Sequence, residues 1–212
     1  MRRRSWAALP AFTFAVAAIQ AFAPSVIGAP QQVVTVTDQT GDLAFSLPGF
    51  MDITRADVIG TGRSLTFRTT LAQPIPTAPS LPHPCEKHIA WVWGMDTDPT
   101  TYPVGFPAPP SGAIPVEFGL RVLWDGSVFR AELIDRRPLL SGQAAVFIPQ
   151  PFAIASNQVS MTLDTALVGN PSSFSFDAVV MCWMGNDDGT EKGNFGWLSV
   201  DALDPFWNAW PS

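Results

Sequence analysis

Short runs in which apolar and polar side chains alternate with period two, rich in Val, Phe, Thr and Trp, recur along the chain between clusters of proline and glycine. The pattern predicts strands over residues 33–37, 53–59, 64–71, 89–95, 116–124, 127–134, 144–148, 158–163, 174–184 and 195–200. Val116, Phe118, Leu120, Val122 and Trp124 alternate into Asp125-Gly126, a favoured centre for a two-residue type I′ hairpin turn. On the return strand Phe129, Ala131 and Leu133 share one face, and Val128, Arg130, Glu132 and Ile134 the other. One apolar and one mixed face is the signature of a strand half buried in a two-layer sandwich. Phe174, Phe176, Ala178, Val180 and Cys182 line one face of a later strand whose other face turns apolar at Val179, Met181 and Trp183, so that strand is expected to be covered on both sides. The proline-rich stretches 74–84 and 99–115 lack the N–H donors an interior strand needs and are expected as surface loops. Residues 163–168 suggest a single helical turn. The fold class this implies is all-β: an antiparallel β-sandwich of jelly-roll or immunoglobulin-like two-sheet architecture, with long Pro-rich loops.

The N-terminus adds a compartment to the picture. Met1-Arg2-Arg3-Arg4 precedes a stretch from Trp6 to Ala23 without a charged side chain, the layout of a secretory signal. Small residues offer cleavage after Ala23 or after Ala29, although Pro24 and Pro30 follow them; an uncleaved anchor is the alternative. The expectation is a signal peptide over residues 1–29 and a single β-sandwich domain over 30–212, secreted to an extracellular or periplasmic space, with no membrane span after cleavage. Losing Arg2, Arg3 and Arg4 from 12 basic side chains set against 18 acidic ones moves the net charge from -6 to about -9. A surface of that sign argues against nucleic acid as a partner, and solubility alone accounts for it. Two cysteines, Cys85 and Cys182, are expected to form a disulfide in an oxidising compartment.

Several motifs carry a resemblance. Val36-Thr37-Asp38-Gln39-Thr40-Gly41-Asp42, then Met51-Asp52-Ile53-Thr54-Arg55-Ala56-Asp57-Val58, then Leu65-Thr66-Phe67-Arg68-Thr69-Thr70-Leu71 resemble the opening of secreted β-sandwich domains related to family 9 carbohydrate-binding modules and the DOMON superfamily. Trp91-Val92-Trp93-Gly94-Met95-Asp96-Thr97-Asp98-Pro99 is similar to their strand ending in an aspartate pair, and Val200-Asp201-Ala202-Leu203-Asp204-Pro205 to their closing turn. The resemblance runs over most of residues 33–205 and speaks to fold more than to activity.

The resemblance implies carbohydrate recognition by exposed aromatics, a structural calcium ion in some members and haem in others. Trp91 and Trp93 share one strand face, and Phe195 and Trp197 another, which makes Trp91, Trp93 and Trp197 the candidates for a ligand face. Tryptophan is also the bulkiest core residue, so packing competes with that role. Calcium requires six to eight oxygen ligands, and Asp38, Asp42, Asp96 and Asp98 are the candidate donors, with Asp52, Asp187, Asp188 and Glu191 beside other turns. Aspartates favour turns in any case. Haem would need two axial groups from Met95, Met181, His83 and His88. The tail Phe206-Trp207-Asn208-Ala209-Trp210 is expected either to wrap onto the sheet or to stand exposed as a sticky patch.

No G-x-S-x-G, HExxH or glycine-rich phosphate loop is present in the sequence. Glu117 and Glu132 could meet across the hairpin as a glycosidase-type pair. The expectation is a secreted, non-catalytic binding module. Its alternatives are a small extracellular hydrolase acting on glycans and a surface-assembly or adhesion protein that uses an edge strand and the aromatic tail.

Overall fold

The computed structural model describes residues 31–43, 46–81, 85, 88–98, 100, 105–107, 113–183, 197–203 and 208–211, with the backbone alone for 105–107, 113–115 and 197–198. The leader, His83, Asp187, Asp188, Glu191 and Phe195 lie outside the described residues.

The strands are β1 (Gln32–Thr37), β2 (Ile53–Thr61), β3 (Ser64–Leu71), β4 (Ile89–Asp96), β5 (Gly105–Pro107), β6 (Ala113–Pro115), β7 (Phe118–Trp124), β8 (Phe129–Asp135), β9 (Val146–Pro149), β10 (Phe152–Ala155), β11 (Gln158–Asp164), β12 (Phe174–Trp183), β13 (Trp197–Ala202) and β14 (Asn208–Trp210). Two antiparallel sheets face each other. The first runs β1-β2-β3-β11-β10; the second runs β13-β12-β4-β7-β8-β9, with β14 also paired to β12. Strand β2 packs across from β12, and β11 across from β7. One open side of the sandwich is therefore bounded by β1 and β13, and the opposite side by β9 and β10.

Alternation sets what enters the interior. Leu65, Phe67, Thr69 and Leu71 on β3 are buried, and Ile89, Trp91, Trp93 and Met95 on β4 meet them from the second sheet. Each indole N–H finds an acceptor inside: Trp91 Nε1 donates to the Phe50 carbonyl at 3.3 Å and Trp93 Nε1 to Thr69 Oγ1 at 2.9 Å. Strand β12 is covered on both faces, as expected: Ala178, Val180 and Cys182 join this core, while Met181 joins Ala90 and Val92 in a small cluster on the other face. Met95 and Met181 thus point to opposite faces of one sheet and cannot bracket a haem between them. The Cys85–Cys182 disulfide ties the β3–β4 connection to β12 across 97 residues.

Three expectations need correction. The hairpin between β7 and β8 turns on Gly126-Ser127, not Asp125-Gly126: Asp125 N donates to Val128 O, and only Gly126 takes positive φ, at 90°. A glycine at the first central position fits the type II′ turn. The Asp125 side chain instead accepts from the backbone N–H groups of Ser127 and Val128, both at 2.9 Å. The stretch 99–115 is not all loop, because β5 and β6 pair within it. Strand β10 is absent from the expected set. The tail wraps onto the sheet as β14: Trp210 is buried, stacks on Phe174 at 5.9 Å between ring centroids, and presses against Gly60. A 3₁₀ turn at Thr165–Val168, capped by Asp164, matches the expected helical turn.

Candidate metal centre

The β1–β2 connection crosses the open side between β1 and β13. Asp38 follows β1 directly, and its N–H donates to Thr54 O at 3.0 Å. Gly41, at φ 89°, lets the chain reverse, and its N–H donates to Asp52 Oδ2 at 2.9 Å. Asp42 is thereby folded back over the same spot. From the other sheet, Asp201 on β13 turns inward, and its carboxylate accepts from Ile53 N, the first residue of β2, and from Ala202 N at 3.0 Å.

One carboxylate oxygen each from Asp38, Asp42 and Asp201 lies within 4.8 Å of the other two. Three oxygens spaced in this way can share one ion at the 2.3–2.6 Å typical of calcium. Asp52 stands at the edge of the group, 4 % exposed, with Oδ1 lacking any hydrogen-bond partner. Asp177 on β12 is also buried with an unpartnered Oδ1, and it feels the charge of Asp38.

The electrostatics are those of crowded acids out of water. Burial pushes the Asp201 carboxyl up to about 7 against the pull of the Ile53 N–H, with Asp42, Asp38 and Asp52 adding negative charge. Burial likewise pushes Asp177 up to about 8, with Asp38 adding to it. Burial raises Asp52 as well, opposed by the Gly41 N–H and reinforced by Asp42. Such a set is unfavourable unless protons or a cation neutralise it. An all-oxygen, all-carboxylate donor set with orphaned buried oxygens fits a hard cation and offers nothing to a soft one.

Beside the acids lies an open depression of about 740 Å³, lined by Thr40, Gly41, Leu47, Gly49, Asp52 and Gln73 among others. Gly41 and Asp52, which bond to each other at the edge of the acid group, both line this depression, so the loop that carries Asp38 and Asp42 also walls it.

The other candidate residues lie elsewhere. Asp96 and Asp98 are not part of the group. Val180 pairs with both Asp201 and Trp91, so Asp96 is five residues along β4 from that row, about 16 Å away. Asp98 caps its own turn, accepting from Thr100 N at 2.9 Å, and Asp98 N donates to Asp96 Oδ1 at 3.1 Å. Asp96 is raised by burial and by neighbouring Glu117. Trp91 and Trp93 are 0 % and 1 % exposed and present no face to a sugar, which corrects their placement on a ligand surface. Trp197 pairs with Trp183 through its backbone, and its side chain lies outside the described residues. Glu117 and Glu132 do not meet: Glu132 is opposite Arg121 in the ladder and bonds to it, four residues from Glu117, or about 13 Å. That exceeds the separation of either glycosidase geometry.

Sequence reasoning gave no metal role to Asp201 or Asp177. Asp177 had one signal, a lone acid inside the apolar run Phe176 to Trp183. Asp201 had none of that kind, because its partners are 148 residues away at Ile53 and further at Asp38.

No protein-family model matches the chain, and no curated protein matches it in sequence.

Proposed function

We propose that this chain is an exported, non-catalytic binding module in which a calcium ion held by Asp38, Asp42 and Asp201 fixes the β1–β2 loop, and in which the depression walled by that loop takes a hydroxyl-rich ligand of the carbohydrate class. The observation that carries the reading is the carboxylate group itself, drawn from the β1–β2 loop of one sheet and from β13 of the other and accompanied by the buried, unpartnered Oδ1 of Asp52. The resemblance of residues 36–42, 51–58 and 65–71 to motifs of secreted sugar-binding sandwiches supports the ligand class. The basic cap, apolar stretch and Cys85–Cys182 bridge support export to an oxidising compartment.

In this reading Asp38, Asp42 and Asp201 supply charged oxygens, and the ion supplies the positive charge that lets three carboxylates converge. Gly41 and Asp52 transmit the loop's position to the depression through their hydrogen bond. Thr40 and Gln73 offer polar contacts to sugar hydroxyls, with Leu47 as an apolar floor. A hydrolase reading loses the Glu117–Glu132 pair on which it rested.

The test is a pull-down on insoluble polysaccharides and a soluble glycan panel, in calcium and in chelator, with Asp42→Asn alongside. Retention in calcium, reduced by chelator and by the substitution and without product release, is the expected result. Equal retention in chelator would separate the ligand from the ion; release of sugar would make the protein an enzyme.

A further inference from the structure

The two open sides of the sandwich differ in chemistry. The side bounded by β1 and β13 carries the acids. The edge strands that bound the other side, β9 and β10, lie in a segment without a charged side chain: from Pro138 to Leu163 every residue is uncharged, and the nearest charges are internally paired, as Arg121 is with Glu132 beneath Phe147. Within it, no residue between Arg136 and Val159 is fully buried. Leu140, Val146, Phe147 and Phe152 are among the large apolar side chains left exposed. Edge strands of soluble proteins are ordinarily blunted by charges, prolines or bulges, because their free N–H and C=O groups invite another strand.

The two edges are not equally open. Gln150 N donates to Ala131 O, so in the alternating ladder Ile148 and Val146 also bond inward to β8, leaving Phe147 and Pro149 outward. Pro149 has no N–H, which blunts β9. On β11, Leu71 N donates to Asn157 O, which assigns Asn157, Val159 and Met161 to the β3 side and Gln158 and Ser160 to the β10 side. Their partners on β10 are Ala155 and Ala153. The N–H and C=O groups of Phe152 and Ile154 therefore point away from the sheet, with no proline between them and no partner strand among the described residues.

We propose that β10 is a self-association edge, at which a second copy of this chain pairs antiparallel about a two-fold axis through Ala153. Outward groups at positions 152 and 154 match themselves under that axis: Phe152 faces Ile154 of the second copy, and Ile154 faces its Phe152. Both pairs use two ladder hydrogen bonds and join an aromatic to a β-branched side chain, a favourable cross-strand combination. The interface is isologous and closed, so it stops at two copies. Charge selects the occupant. A chain of net charge -6 repels its own copies over most approaches, and the uncharged stretch from Pro138 to Leu163 is where two copies meet without that repulsion. The paired segment is short, so the dimer is weak and concentration dependent.

Ala153 is exposed and sits on the proposed axis, where opposed side chains approach most closely. Sedimentation of the mature protein over a hundredfold concentration range, with hydrogen exchange read at Phe152 and Ile154, tests the assignment. The expected result is a monomer–dimer equilibrium, with both amides more protected at high concentration. Ala153→Lys and Ala153→Glu are each expected to stay monomeric with unchanged circular dichroism, and their mixture to recover the dimer. A wild-type monomer throughout would overturn the proposal. So would a dimer that Ala153→Lys leaves intact, or one in which Phe152 and Ile154 gain no protection.

Discussion

The carboxylate of Asp201, on the edge strand of one sheet, accepts the backbone N–H of Ile53, the residue that opens β2 in the other. That bond crosses the seam of the sandwich at the point where Asp38 and Asp42 also converge. It makes the charge state of one buried acid a property of both sheets.

Asp201→Asn separates the roles of charge and hydrogen bond. In chelator at pH 8 the substitution removes a buried charge while keeping an acceptor, and it is expected to leave the melting temperature unchanged or raised. In excess calcium the wild type is expected to gain stability that the variant does not. Thermal unfolding of both proteins in both buffers checks this, and an equal calcium response in the variant would remove Asp201 from the site.

Asp177 sets a pH dependence. Its folded value, about 8, lies above the ordinary carboxyl value of 3.8, so between these the native state holds a proton that the unfolded chain has released. Stability therefore falls as pH rises from about 4 to about 8, by up to about 1.4 kcal/mol per pH unit for one such group. Asp201, also raised, acts in the same direction up to about 7. In chelator the protein is expected to melt higher at pH 6 than at pH 8. Asp177→Asn is expected to flatten the difference, and a wild type that melts higher at pH 8 would contradict the reading.

The Cys85–Cys182 bridge closes a span of 97 residues. The chain-entropy account assigns such a loop about 4–5 kcal/mol. Denaturant unfolding of a Cys85→Ser, Cys182→Ser double variant is expected to show a loss of that order. A midpoint equal to that of the wild type would mean that the sheets alone hold this connection in place.

Gly60 is where the tail seats. A Cβ at this position would come within 2.6 Å of the Trp210 ring. Gly60→Ala is expected to cost about 1–3 kcal/mol through overpacking, and much less when combined with Trp210→Leu. Additive losses in the double variant would show that the two residues do not press on each other.

The strands were legible where alternation was strong: β3 has the expected bounds, Ser64–Leu71, because every second residue enters the core. Strand β10 was hidden because Phe152-Ala153-Ile154-Ala155 follows Pro151 and lacks polar contrast, being exposed on most of its length. The β7–β8 turn was displaced by one residue because a side chain, Asp125, took the backbone bonds that the dipeptide rule assigns to a type I′ turn. Trp91 and Trp93 share their face with Ile89 and Met95, and an apolar stripe of that kind marks the interior rather than a binding surface. At the acid group, Asp38 and Asp42 were legible as turn acids close in sequence. Asp201 was not, because only the pairing of β13 with β12 brings it across from β2.

The most direct test of the account is a calorimetric titration of calcium into chelator-stripped protein, with magnesium as the comparison and Asp42→Asn as the control, since Asp42 is exposed and its loss spares the core. The account predicts one calcium per wild-type chain, weaker binding of magnesium, a higher melting temperature on saturation and at least tenfold weaker calcium binding by the variant. Absence of binding heat together with a melting temperature indifferent to calcium would contradict it.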